Sequence, residues 1–225
     1  MYDNEKYRRE KFQPRIEFIK KHFAGCGDPR ILDVGCGDGL FLEMAIGAFP
    51  RRRHWGVDAD IDNEQLVVKT GLAERADIFC RDIYDARFFD EPEFFDVITC
   101  FDVLEHLHMP QAFFRHARTL LTPNGIVMLS FPNVQLGYRM RDIKRIGIPD
   151  TDKTHAYLAT PDGWRQMVHD MGWRVLDSWY GEHLTHIKWL PKVATRICKA
   201  LKIDHRKVPI LDQFEQSYIM VIVPK

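Results

Sequence analysis

The chain lacks any apolar run near the ~20 residues that a helix needs to cross a bilayer. It lacks an excess of either charge, with 32 Lys and Arg against 32 Asp and Glu. A general nucleic-acid binder carries a basic surplus, so that class is not expected. Cysteine is sparse, 5 in 225 residues, an odd count with no Cys-x-x-Cys pair. That pattern reads as reduced thiols rather than a disulfide framework. Internal repeats and low-complexity tracts are absent. The first residues, Tyr2 to Lys11, are highly charged and do not read as a signal peptide. Together these features place the chain in the cytoplasm, with contact to a membrane surface left open. The length suits one large α/β domain able to bury a core without disulfides.

What is present is concentrated between Ile31 and Phe41. An apolar strand (Ile31, Leu32, Val34) runs into Gly35, Gly37 and Gly39, and a helical pattern (Leu40, Phe41, Met44, Ala45) follows at once. Glycines at a strand-to-helix turn permit positive φ and let a ligand touch the backbone. The helix that follows offers free N–H groups at its start. Such a turn is a nucleotide-type site at the carboxyl end of a parallel strand.

The rest of the chain alternates strands with helices. Residues 1–24 read as an amphipathic helical lead-in, with Ile16, Ile19 and Phe23 on one face. Strands are expected at 30–34, 54–58, 77–80, 95–100, 126–131, 173–179 and 217–223, and helices after Gly39 and over 62–73, 110–121 and 162–171. Pro123-Asn124-Gly125 reads as a turn. Alternation of this kind predicts a doubly wound, Rossmann-like α/β sheet. The segments 133–160 and 182–212 are too long for simple links and are expected to cover the ligand edge of the single domain, 1–225.

A dinucleotide fold wants Gly-x-Gly-x-x-Gly, and here the third glycine comes one residue early. Asp58 closes the second strand, where a carboxylate can take both ribose hydroxyls. Cys80-Arg81-Asp82-Ile83 closes the third, where Asp82 can accept from an adenine amino group. Phe95 to Cys100 then leads into Phe101-Asp102-Val103-Leu104-Glu105-His106, and Leu121-Thr122-Pro123-Asn124-Gly125 precedes a further strand. In combination these resemble the class I S-adenosylmethionine-dependent methyltransferases, nearest in pattern to the ubiquinone-biosynthesis O-methyltransferase group (methyltransferase types 11 and 23). Asn124 stands where that family usually has glycine, and Asn tolerates positive φ.

The resemblance implies a seven-stranded sheet, mostly parallel, with an antiparallel last strand. It implies S-adenosylmethionine as cofactor, a molecule with a sulfonium, an ammonium, a carboxylate, a ribose diol and an adenine but no phosphate. By the same resemblance Asp33 helps to hold the ammonium. Gly35, Cys36, Gly37 and Gly39 pass along the methionine and ribose, Asp58 and Ala59 take the ribose, Asp82 and Ile83 flank the adenine, and Phe101 lines the methionine arm. Arg15, in Arg15-Ile16-Glu17-Phe18-Ile19, matches the family's arginine for the cofactor carboxylate.

Methyl transfer to oxygen needs positioning and a base. His106, at the carboxyl edge after the fourth strand, and His155, near the end of the first insertion, are the catalytic candidates. Asp102, Glu105 and His106 stand at i, i+3 and i+4, one face of a helical turn, and could hold a divalent ion. Readings without a metal are preferred. Arg139, Arg141, Lys144 and Arg145 make the first insertion cationic, by default a solvated face. In the second insertion, residues 186–202 form a basic amphipathic stretch, read as a cap on the sheet with a peripheral membrane contact as the alternative. The functional expectation is methyl transfer to a hydroxyl of a small or medium acceptor: a glycan sugar, a quinone precursor or a natural-product phenol. The alternatives are carbon- or nitrogen-directed transfer, or a cofactor-binding partner protein without turnover. Oligomeric state leaves no trace in the sequence.

Overall fold

The computed structural model describes residues 4–59, 72–82, 92–132, 154–183 and 215–225. Helix α1 (Asn4–His22) precedes β1 (Ile31–Val34), α2 (Leu40–Ala48), β2 (His54–Asp58) and β3 (Ala76–Cys80). Then come β4 (Phe95–Phe101), α3 (Pro110–Leu120), β5 (Leu121–Pro132), α4 (Pro161–Asp170), β6 (Trp173–His183) and β7 (Glu215–Pro224). Short 3-10 turns occupy Leu72–Glu74 and Leu104–His106. Most of the helix expected over 62–73, Ile83, residues 133–153 and the amphipathic stretch 186–202 lie outside the described residues.

The strands form one seven-stranded sheet in the order β3-β2-β1-β4-β5-β7-β6. β1 through β5 pair in parallel, and β7 runs antiparallel between β5 and β6. Strand order reverses beside β1, and in such sheets ligands bind outside the carboxyl ends at that point.

Alternation along each strand sorts the core into two layers. Leu32, Val34, Ile98, Cys100, Val127, Leu129 and Phe131 face α3 and α4, where they meet Phe113, Phe114, Ala117, Trp164 and Val168. Ile31, Val97, Ile126, Met128, Ile219 and Val221 face the other way, against Ile16 and Ile19 of α1 and Phe41 and Ala45 of α2. Asp33, Thr99, Phe101 and Ser130 share the second parity, so the pleat turns them all toward the α1 side. Register then brings them together, with Asp33 opposite Thr99 and Phe101 opposite Ser130.

One element departs from expectation. Pro123-Asn124-Gly125 is not a turn ahead of a strand but lies inside β5. Leu121 pairs with Phe95 and is buried, and the register shifts before Val97 meets Ile126. The extra residues are absorbed as an irregularity in the ladder. Glycine is needed there: a Cβ on Gly125 would lie 2.5 Å from Leu121 Cγ and 3.1 Å from the Asp96 carbonyl oxygen.

Candidate active site

The glycine turn sits at the carboxyl end of β1 with Gly35, Gly37 and Gly39 at φ +74°, +53° and +78°, a region that favours glycine. The Gly35 and Cys36 N–H groups donate to the Val57 carbonyl at 2.7 and 3.2 Å, which fastens the turn to β2. Gly37 N–H donates to Asp58 Oδ2 at 2.8 Å. The carboxylate expected to take the ribose therefore also holds the glycine backbone in place. Gly39 begins α2, its carbonyl accepting from Glu43 N–H at 2.9 Å.

A cleft of about 200 Å³ opens over this turn, between Gly35, Cys36 and Gly37 on one side and Arg8, Lys11 and Phe12 of α1 on the other. Asp33, Phe41, Phe101 and Asp102 complete its lining. Phe101 stands edge-on to Phe41 at 5.0 Å and 5.8 Å from Phe12, forming an aromatic floor. Asp33 is 3% exposed and accepts from Thr99 Oγ1 at 2.6 Å. Burial pushes its carboxyl up to about 7, against the downward pull of the Thr99 hydroxyl. Burial also pushes the Cys36 thiol well up, so this cysteine is a neutral wall.

Asp102 follows β4 at φ +55°. Lys11 Nζ donates to its Oδ2 at 2.6 Å and Ser130 Oγ to its Oδ1 at 2.8 Å. Desolvation pushes the Asp102 carboxyl up, but the charges of Lys11 and Arg15 outweigh it and hold it below the usual carboxylate range. Arg8 pairs with Asp38 on the outer lip, where its hydrogen bonds lower the Asp38 carboxyl. Arg15 is 1% exposed and stands behind the lining, its guanidinium 4.5 Å from the Phe101 ring centre and 5.1 Å from that of Phe12. Ala59 and Asp82 are exposed beyond the ends of β2 and β3, and Arg81 N–H donates to the Asp58 carbonyl at 2.8 Å, joining those two edges.

A second group lies further along the same edge. The turn Leu104–His106 and the segment from Thr154 are stitched together by Ala156 and Tyr157 N–H, which both donate to the Glu105 carbonyl at 2.8 Å. His106 Nδ1 lies 2.9 Å from Thr154 Oγ1, and the His106 and His155 rings meet edge to face at 4.8 Å. Glu105 is 1% exposed, and its carboxylate together with the two half-buried imidazoles places all three ligand atoms within 4.8 Å of one another. Asp102 stands outside that group. The face expected for Asp102, Glu105 and His106 requires a helix through all three, and the left-handed backbone at Asp102 prevents it. His155 takes the third place.

Lys11, Arg8, Thr99 and Ser130 were not foreseen as site residues. Strand parity and register could have found Thr99 and Ser130. For Arg8 and Lys11 no signal exists in the sequence, because their role depends on how α1 docks.

Fold and cleft define a Rossmann-like α/β domain with a glycine turn and an open cleft at the switch point of its sheet. The methyltransferase-domain family matches residues 5–178, well over half of the chain, and the protein belongs to that family. Among curated relatives, a ubiquinone biosynthesis O-methyltransferase of Neisseria meningitidis serogroup A is 34% identical over 128 residues, covering 53% of this chain and 50% of the relative. One from Histophilus somni is 27% identical over 134 residues, covering 53% and 51%. The chain thus spans about half the length of the curated relatives it matches. Among solved structures, a SAM-dependent methyltransferase from Archaeoglobus fulgidus superposes with a TM-score of 0.63 at 19% identity, covering 97% of this chain and 96% of that one. Magnesium protoporphyrin IX methyltransferase from Synechocystis PCC 6803, with bound SAH, gives 0.62 at 18% identity, covering 100% and 89%. These structural likenesses bear on the fold. Among the described residues no helix is long and apolar enough to cross a membrane.

Proposed function

We propose that the protein transfers the methyl group of S-adenosylmethionine to a hydroxyl of a small or medium acceptor, with His106 as general base and His155 beside it at the acceptor. The observation that carries this reading is the His106–His155 pair, placed just past the strand end that lends Phe101 and Asp102 to the cofactor cleft. The acceptor oxygen attacks the methyl carbon, the carbon–sulfur bond breaks, and the hydroxyl proton passes to the imidazole. The names of the curated relatives, O-methyltransferases, favour oxygen over carbon or nitrogen. Incubation of hydroxylated sugars, phenols and quinone precursors with methyl-labelled cofactor tests it. Labelled ether product is expected. A carbon- or nitrogen-methylated product, or cofactor binding without transfer to any acceptor, would replace the proposal with one of its alternatives.

His106→Gln is expected to lower kcat by about 10²- to 10⁴-fold, the usual worth of a positioned base. S-adenosylhomocysteine affinity should stay unchanged, because His106 does not line the cofactor cleft. An unaltered kcat would remove His106 from the chemistry.

A second reading has an observation of its own. One carboxylate and two imidazoles within 4.8 Å suit a divalent transition ion by donor type. Glu105, His106 and His155 would hold it, and it would supply a Lewis acid for the acceptor oxygen. Turnover should then vanish in excess chelator and return with a divalent ion. Full activity in chelator leaves the base reading alone.

Asp33 makes cofactor binding depend on pH. Ionised Asp33 suits the cofactor ammonium, whereas burial holds its carboxyl at about 7. Below that value a proton must be expelled on binding, so affinity should fall by up to about tenfold per unit as pH drops from 7. The same group opposes folding as pH rises from its unfolded value toward 7, because the folded state holds the proton more tightly. Calorimetric titration with S-adenosylhomocysteine at pH 6 and 8 should show both the affinity change and the released proton. Asp33→Asn should flatten the profile.

A further inference from the structure

We propose that the Lys11–Asp102 ion pair is the receptor for the amino-acid end of the cofactor: it opens on binding, Lys11 passing to the carboxylate and Asp102 to the ammonium. The inference rests on the cleft being the seat of S-adenosylmethionine.

The pair lies in the cleft wall, with Lys11 Nζ 2.6 Å from Asp102 Oδ2. Its two charges match the two charges at the end of the ligand. A zwitterion entering an ion pair exchanges one charge contact for two and leaves neither protein charge bare. A ligand with only one of those charges leaves one partner desolvated and unmatched, which is costly away from water. The pair thus keeps that wall of the cleft neutral and reads both charges at once.

Each partner is anchored from its own side, so the pair can part without the fold moving. Asp102 keeps Ser130 Oγ on its other oxygen at 2.8 Å, and its N–H donates to the Ser130 carbonyl at 3.1 Å. Its left-handed backbone aims the carboxylate into the cleft rather than along a helix. On the opposite side, α1 stays docked through Arg8 to Asp38, through Arg9 to Glu43 at 2.8 Å, and through buried Ile16 and Ile19. Lysine suits the moving part: it is a compact charge on a flexible stem, and its side chain is 16% exposed at the cleft. Arg15 does not have that freedom, being 1% exposed and stacked on Phe101 and Phe12. Its fixed charge reinforces the site from behind. Asp33, also in the lining, shares the ammonium with Asp102.

Two ligands separate this role from mere attachment of α1: S-adenosylhomocysteine, and the same molecule without its carboxylate, S-adenosyl-3-thiopropylamine. Lys11→Met is expected to weaken the first by about 10- to 100-fold, the range of a charge-assisted hydrogen bond. Binding of the second should change by less than about threefold, within the reach of indirect effects. Lys11→Arg should recover most of the loss. Asp102→Asn should weaken both, since both keep the ammonium. Where Lys11→Met fails to fold, the double variant Lys11→Met/Asp102→Asn leaves no bare charge, and there the carboxylate should confer no advantage in affinity. Equal loss of both ligands in Lys11→Met, or loss of neither, overturns the exchange. Wild type that binds neither ligand overturns the cofactor assignment itself, a separate failure.

Discussion

Gly37→Val is expected to cut S-adenosylhomocysteine affinity by about 10- to 100-fold or more while the chain still folds. A Cβ on Gly37 meets nothing within 4 Å, so the added side chain enters the open cleft rather than the core. Forcing extra methylene volume into a fitted space costs ~1–3 kcal/mol, and each 1.4 kcal/mol is about tenfold in affinity. The backbone at φ +53° adds strain of ~1–2 kcal/mol for an L side chain. For a chain of this size that lowers Tm by about 2–8 °C. Gly35→Val should behave in the opposite way. Its Cβ would lie 2.1 Å from Val103 Cγ2, so the turn and the Val103 segment cannot both keep their places, and folding itself should fail or Tm fall far further. Asp58→Ala should resemble Gly37→Val in its effect on binding, with ~1.5–3 kcal/mol lost for a charge-assisted hydrogen bond. It also releases the Gly37 N–H. Calorimetry with S-adenosylhomocysteine and a thermal melt distinguish the three. Normal binding by both Gly37→Val and Asp58→Ala would put the cofactor elsewhere.

The contrast between Gly35 and Gly37 marks where the sequence was legible and where it was not. Strand and helix order could be read because alternation along β1, β4 and β5 and helical spacing in α1 and α3 are local patterns set by one buried face each. The glycine turn and Asp58 were legible because their chemistry is carried by residue type at fixed spacing. What neighbours a residue across the fold is not local. The one-residue spacing of Gly35 and Gly37 looks uniform, yet one packs on Val103 and the other faces the cleft. The Asp102, Glu105 and His106 spacing implied a shared face, and a single left-handed residue dissolved it while chain crossing brought in His155. Pro123-Asn124-Gly125 carries turn composition but was drawn into β5 because Leu121 gains a buried position opposite Phe95. Lys11 and Arg8 carry no pattern at all. They become cleft residues only because Ile16 and Ile19 seat α1 across the glycine turn.

Trp164→Ala is expected to remove about 3–5 kcal/mol of stability, the cost of deleting a large buried aromatic and leaving its cavity. Trp164 is 1% exposed on α4, stacked on Phe131 of β5 at 4.1 Å and edge-on to Tyr157 at 5.1 Å. For a domain near 225 residues the loss corresponds to a drop in Tm of about 6–20 °C. A total stability of ~5–15 kcal/mol makes this a large fraction of the whole. The effect should reach the chemistry as well. Thr160 caps α4 by accepting from Gly163 N–H at 3.2 Å, and Tyr157 N–H donates to the Glu105 carbonyl at 2.8 Å. Trp164 therefore supports the segment that carries His155 toward His106. In the folded fraction, kcat should fall more than cofactor affinity, since the cleft at Gly35–Gly37 is held by β2 and α1 instead. Trp164→Phe keeps the stack on Phe131 and should recover more than half of the lost stability. Denaturant titration of the three proteins, with kcat and S-adenosylhomocysteine affinity measured alongside, checks both halves. A Tm change in Trp164→Ala below about 3 °C would show that α4 is not anchored through this side chain. Equal loss of kcat and cofactor affinity would show that the histidine pair and the cleft are not separately supported.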